Sequence, residues 1–412
     1  MKVVLFVLDA CRYDYITKEN TPFLWECRKQ GRNIKHVIPS AGFCERTEIF
    51  TGLKPNESGF FTAIGYDPQK STYRDNLFFN IVGKFESFLS IFTIRNLSIS
   101  KIFRKIIFKF FRFLTVSHKL KPYNIPFSFL RYFNLTEDEH DMETKEFVGS
   151  ASIFEILGKK NKLTYLDSFT SLGKPSNGND SERIKSAIYH SSKKNYSFIP
   201  IYIGDIDSNG HKFGPNSKDL GPELKKIDSI LKDSVDQFLK VDEKTNFIFL
   251  GDHGMTTVKS ILDVEKHIVS LAKKLRLKKG RDYIYFLDST ILRVWFLTEN
   301  AKKKYEEVLR KDKYLSLNGK IINEEICKCN HIPIGDRRYG DLTWWANEGV
   351  LIFPDFFHYQ KPYKGMHGYE PIYPSTYGTC IVIGSGVEKS YVESINLHEI
   401  YNLINELIDK ED

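Results

Sequence analysis

The 412-residue sequence predicts a doubly wound α/β fold: a mostly parallel sheet flanked by helices, with two insertions over the carboxyl edge of that sheet. Three observations lead there. First, the apolar runs Val3–Leu8, Phe198–Ile203, Phe247–Leu250 and Thr379–Ile383 are short and do not alternate, as in strands buried on both faces of a parallel sheet. Second, each run ends in a polar or glycine cluster, namely Asp9, Gly204-Asp205, Gly251-Asp252 and Gly384-Ser385-Gly386. Third, helical stretches lie between the runs. Pro222 to Leu239 places Leu224, Ile227, Ile230, Leu231, Val235 and Leu239 at spacings of three or four.

The elements divide the chain into five parts. Residues 1–75 hold the first part of the core, with a strand ending near Val37-Ile38 and a helix running roughly from Phe43 to Phe50. Residues 76–145, rich in Phe, Ile, Lys and Arg, interrupt the core as a lid-like insertion. The core resumes over 146–262 with the two central strands. Residues 263–364 mix a helix (Ala301–Leu309) with strand-like pieces (Tyr283–Leu287, Ile291–Phe296) and read as an accessory cap. Residues 365–412 return to the core. A chain this long exceeds one ordinary hydrophobic core, and no internal repeat accounts for its length.

Composition excludes several classes. Hydrophobic residues make up 41% and charged residues 27%, globular values that rule out a disordered or fibrous chain. The net charge of +8 is local: Ser87 to Thr136 carries nine basic residues and no acidic one, which accounts for the whole excess. No specific nucleic-acid partner is expected. Within that segment Lys101, Lys105, Lys109 and Arg112 share one helical face, beside Ile102, Ile106, Phe110 and Phe113. Residues 95–131 therefore read either as an ordinary lid or as a peripheral contact with an anionic membrane. The six cysteines are scattered, which fits free thiols in a cytoplasmic protein. The N-terminal apolar run is too short for a signal peptide. Cys327, Cys329 and His331 match no standard zinc knuckle.

Four clusters carry chemistry. Asp9 closes the first strand, Asp207 and His211 lie in IDSNGHKFGP, Asp252 and His253 in LGDHGMT, and His367 in KGMHGYEP. Singly, each has an ordinary reading as a turn, a helix cap or a solvated loop. Together, three carboxylates and three imidazoles at strand ends and glycine-bordered loops form a mixed N/O donor set suited to zinc. Six donors are more than one tetrahedral ion takes and fit two ions with open positions, the standard device for displacement at phosphorus.

In order and wording these clusters resemble the alkaline phosphatase superfamily, specifically its nucleotide pyrophosphatase/phosphodiesterase branch. LDACRYDYI and NTPFL resemble its first metal strand and helix, IFTGLKPNESGFF the segment after its nucleophile, and the other three clusters its remaining metal motifs. The resemblance implies an alkaline phosphatase-like fold and two divalent ions, expected to be zinc. One ion would take Asp9, Asp252 and His253, and the other Asp207, His211 and His367.

The departure lies at the nucleophile. The family places Thr or Ser nine residues before the Thr of a Thr-Gly pair; here that pair is Thr51-Gly52, and nine residues back stands Gly42. Ser40 or Cys44 could supply the nucleophile instead, with Thr47 as the weakest alternative, or the attacking group is a water. Glu45, which stands where the family has Asn, and Arg46 are the candidate substrate contacts, the planar fork of Arg46 suiting phosphate oxygens. The Cys-x-Pro-x-Arg signature of sulfatases is absent. The expected activity is hydrolysis of a phosphodiester or pyrophosphate that is nucleotide-, glycan- or lipid-linked. The alternatives are a phosphoryl or phosphoethanolamine-type transferase acting on a glycan or lipid, and a metal-retaining binding protein.

Overall fold

The computed structural model describes residues 1–89, 93–94, 97–98, 102–104, 106–107, 120–137, 151–169 and 178–410. Lys101, Lys105, Lys109, Arg112, Phe110 and Phe113 lie outside the described residues, and with them most of the expected basic face.

The apolar runs form one seven-stranded sheet in the order Ser390–Asn396, Arg32–Ile38, Gly378–Ile383, Asn246–Leu250, Val3–Leu8, Tyr196–Ile203, Leu163–Thr164. Val3–Leu8 is central, pairing in parallel with both Tyr196–Ile203 and Asn246–Leu250. The sheet is mostly parallel, and Gly378–Ile383 is the exception, antiparallel to both neighbours. The chain leaves His367 at the carboxyl edge and enters this strand after only a short connection, so it must run down the sheet.

Both faces of the sheet are covered, which is why its strands read as continuous apolar runs. Val3, Leu5 and Val7 point to one side, against Phe50, Phe154, Leu157, Ile400, Leu403 and Ile404 from three helices (Glu45–Thr51, Ile153–Lys159, Ile400–Asp409). Val4, Phe6 and Leu8 point to the other, against Leu24, Ile184, Leu224, Ile227, Leu231 and Val235 from Pro22–Gln30, Asp180–Ser191 and Leu220–Val241. In the last of these helices Phe238, not Leu239, completes the inner stripe, and Leu239 faces outward.

The two insertions share one separate core. Residues Tyr283–Leu287, Ile291–Phe296, Leu342–Ala346 and Gly319–Ile321 make a four-stranded antiparallel sheet. The chain beside it is helical from Glu299 to Arg310, with a wide π turn over Lys302–Glu306. Onto this sheet pack aromatics from the first insertion: Phe129 meets Tyr285 edge-on at 5.2 Å, and Phe133 meets Phe286 at 5.1 Å. Arg293, fully buried, ties the cap to the core segment, donating from Nη1 to Thr62 Oγ1 and the Ile64 carbonyl, both at 2.6 Å. Its other arm pairs with Asp288 at 3.0 Å, so the buried charge is compensated.

Candidate active site

The clusters gather beyond the carboxyl ends of the central strands, where open α/β sheets place functional groups. Asp9 follows Val3–Leu8 directly, and Asp252 follows Asn246–Leu250 by one glycine. That glycine is required, since a Cβ on Gly251 would lie 2.0 Å from the Cys11 carbonyl oxygen, so only glycine lets the two loops touch. The Ala10 N–H then reaches Asp252 Oδ1 at 3.2 Å and orients that carboxylate. Asp207 and His211 lie four residues apart on the helix Asp205–Phe213 and so share one face. A two-residue antiparallel ladder, Thr256 opposite Met366 and Thr257 opposite Gly365, carries His367 against the Asp252-His253 loop.

Two groups result. Asp9, Asp252 and His253 bring donor atoms within 4.8 Å of one another, and so do Asp207, His211 and His367. His253 Nε2 is 3.1 Å from Asp9 Oδ1 and His211 Nε2 is 3.1 Å from Asp207 Oδ1, while His367 Nε2 is 3.7 Å from the same Asp207 oxygen. The groups meet where the His253 and His367 rings stack at 4.1 Å.

The hydrogen bonds behind the rings show what the pairs need between them. His211 Nδ1 donates to the Gly365 carbonyl at 2.8 Å and His253 Nδ1 to the Gly254 carbonyl at 2.9 Å, which leaves each Nε2 with a lone pair toward its carboxylate. Asp207 Oδ1 is buried and receives no hydrogen bond, although an imidazole nitrogen lies beside it. Acceptor faces acceptor, an arrangement that only a cation or an extra proton satisfies. The electrostatics of the site express the same demand. Burial opposes the charged form of His253, yet the Asp252 and Asp9 carboxylates hold it well above its ordinary range. His211 is likewise raised by Asp207 against its burial. Burial, then the neighbouring charges of Asp9 and Glu45, pushes Asp252 up despite His253. His367 is driven well below its ordinary range by burial and by His253 and His211. In donor type and spacing each group could hold a metal ion.

Tyr202 and Tyr363 were not singled out in the sequence. The Tyr202 hydroxyl donates to Asp9 Oδ2, leaving Oδ1 toward His253, and Tyr363 stacks on His211 at 4.4 Å. Tyr202 pairs with Val7 across the parallel ladder, and its hydroxyl after the apolar run Phe198–Ile201 was the available signal.

The expected helix after the second strand runs over Glu45–Thr51, with Cys44 as its N-cap. Gly42 has φ of +106°, and a Cβ there would lie 1.9 Å from the Phe61 carbonyl oxygen, which already accepts the Phe43 N–H at 2.9 Å. A Thr or Ser is therefore excluded at Gly42 by this backbone. Ser40 does not cap the helix: its hydroxyl donates to Glu48 Oε2 at 2.7 Å. Cys44 packs in the apolar cluster of one sheet face, with Ile49, Phe50 and Phe60. Arg46 pairs with Glu137 at 3.4 Å, and Glu137 also accepts the Thr47 N–H at 2.6 Å. Glu45 interacts electrostatically with the first group. It is half-buried, and desolvation pushes it up to about 7 while His253 draws it down and Asp9 raises it.

A profile of the type I phosphodiesterase / nucleotide pyrophosphatase family matches residues 3–370. The chain belongs to that family. Mouse ectonucleotide pyrophosphatase/phosphodiesterase family member 7 is 36% identical over 69 residues, 16% of each protein. Human bis(5'-adenosyl)-triphosphatase ENPP4 is 25% identical over 213 residues, 50% of this chain and 43% of that protein. The matches thus span less than half the length of these relatives. In three dimensions the chain resembles human ectonucleotide pyrophosphatase/phosphodiesterase 5, with a TM-score of 0.68 at 18% identity, covering 100% of this chain and 96% of the other. At that identity the likeness speaks for the fold, a mixed α/β architecture around a mostly parallel sheet.

Proposed function

We propose that the protein is a two-zinc hydrolase of phosphodiesters or pyrophosphates. The observation that carries this reading is the pair of carboxylate–imidazole groups meeting at His253 and His367, in a chain that belongs to a phosphodiesterase family. Asp9, Asp252 and His253 would hold one ion and Asp207, His211 and His367 the other. When bound, the ions neutralise charge on the phosphoryl oxygens and lower the pKa of the attacking group.

The protein's own groups do the rest. Tyr202 holds Asp9, and the Gly254 and Gly365 carbonyls hold the rings of His253 and His211, so the site is organised before substrate arrives. Ser40 is engaged by Glu48, Cys44 is packed among apolar side chains, and position 42 carries no side chain. Water is therefore the attacking group that this arrangement favours. Glu45, whose charge interacts with His253 and Asp9, would take its proton. A cytoplasmic location remains part of the proposal, since all six cysteines are unbridged. The test is turnover of bis-p-nitrophenyl phosphate against p-nitrophenyl phosphate by zinc-loaded protein. A clear preference for the diester is expected, and no turnover of either substrate would overturn the reading.

A further inference from the structure

Five of the candidate ligands stand on elements of the core: Asp9, Asp252 and His253 follow central strands, and Asp207 and His211 share one helix. His367 is placed differently. The two residues before it, Gly365 and Met366, pair with Thr257 and Thr256 of the core. The residues after it are held by the cap. The Gly368 carbonyl accepts from Trp345 Nε1 at 2.8 Å and from Thr290 Oγ1 at 2.9 Å. The Tyr369 hydroxyl donates to the Val350 carbonyl at 3.1 Å, and Glu370 pairs with Lys320 and accepts from Asn330 Nδ2 at 3.2 Å.

Trp345 and Thr290 are fully buried, the first in the strand Leu342–Ala346 of the cap sheet and the second at the turn before Ile291–Phe296. Gly368 has φ of +80°, and a Cβ there would lie 2.3 Å from the Phe43 ring, so this turn needs a glycine. Two buried donors on its carbonyl fix the direction the chain takes one residue past His367. That matters because the rings of the group are oriented unequally. A backbone carbonyl holds His211 through Nδ1, whereas His367 Nδ1 is buried and has no hydrogen bond among the described residues. Placement of the His367 ring therefore falls to its backbone and to its ring contacts with His253 and Phe43.

We propose that Trp345 and Thr290 are positioning residues for the Asp207, His211 and His367 group: by holding the Gly368 carbonyl they set His367 toward its partners, so that seating of the cap governs affinity for one ion of the two. The proposal rests on the two-zinc reading above.

The experiment is stepwise zinc titration of the full chain, stripped by chelator, followed by calorimetry. Two binding events are expected in the parent, one of them absent from His211→Ala. Trp345→Phe keeps a ring and removes the N–H. It should weaken that same event about tenfold, the lower end of the usual loss on removing an outer-shell partner, and leave the other event unchanged. Thr290→Val, nearly isosteric, should act in the same direction, and it carries the comparison should Trp345→Phe fail to fold. Trp344→Phe is the control. Trp344 is equally buried in the same strand, but its Nε1 donates to the Leu315 carbonyl at 2.9 Å, within the cap. That variant should lower the melting temperature of the metal-free protein and leave both zinc events in place. Equal weakening by Trp344→Phe and Trp345→Phe, weakening of both events together, or unchanged affinities in Trp345→Phe and Thr290→Val would overturn the proposal while the two-zinc reading stands. A parent that takes up fewer than two ions would overturn that reading, and this proposal with it.

Discussion

His253 and His367 stack with ring centroids 4.1 Å apart and planes 16° from parallel, although they come from loops more than a hundred residues apart. Each belongs to a different carboxylate group, so this contact joins two half-sites into one centre. The antiparallel ladder of Thr256–Thr257 with Gly365–Met366 sets the spacing.

His367 has no substitute within its group, where Asp207 and His211 are the other two donors. His367→Ala is expected to lower metal content and abolish turnover. His358 is a useful contrast: its ring packs on Tyr363 at 4.3 Å and its Nδ1 lies 3.3 Å from Asp355, outside both groups. His358→Ala should keep its metal. Elemental analysis of the two purified variants distinguishes them, and equal loss in both would count against the assignment.

Attack by water makes the side chains of the nucleophile loop separable. Glu45→Gln is expected to cost about 10²–10⁴ in turnover, the usual contribution of a positioned base. Ser40→Ala and Cys44→Ala should retain most activity at saturating zinc. A large loss in one of those two alone would instead name a covalent nucleophile.

Restoring a hydroxyl at Gly42 should fail. Gly42→Thr places a β-branched residue at positive φ and drives its Cβ onto the Phe61 carbonyl. A destabilisation of about 1–3 kcal/mol is expected from the backbone strain alone, read as a lower urea midpoint, with no gain in turnover.

Glu48 imposes a pH dependence on the metal-free protein. Its burial pushes it up from 4.5 to about 8, against the hydrogen bond from Ser40. The folded state thus holds a proton that the unfolded chain releases near its ordinary value. The stabilisation is complete below about 4.5 and is lost as pH rises toward 8. Glu48→Gln removes that titration while keeping a side-chain oxygen for Ser40. In chelator, melting temperatures from pH 5 to 8.5 should fall more steeply for the parent than for Glu48→Gln, and parallel curves would contradict the assignment.

Most of the sheet was legible because strands buried on both faces leave unbroken apolar runs, and Val3–Leu8, Tyr196–Ile203 and Asn246–Leu250 do so. The direction of Gly378–Ile383 was not, because a buried strand has the same composition whether it runs up or down. The candidate ligands stood out because Asp and His sit beside glycines at strand ends. Their supports did not. Tyr202 reads as one more strand aromatic until its partner Asp9 is seen, and Arg293 reads as a surface charge until Asp288 and Thr62 surround it. The shared core of the two insertions depends on long-range aromatic contacts such as Phe133 with Trp295, which local periodicity does not encode.

The central claim is that two ions occupy two adjacent groups. Crystals of zinc-loaded protein, measured on both sides of the zinc absorption edge, test it directly. The account predicts two anomalous peaks about 3.5–4 Å apart, one against Asp9, Asp252 and His253 and the other against Asp207, His211 and His367. A single peak, or peaks away from these six side chains, would contradict it.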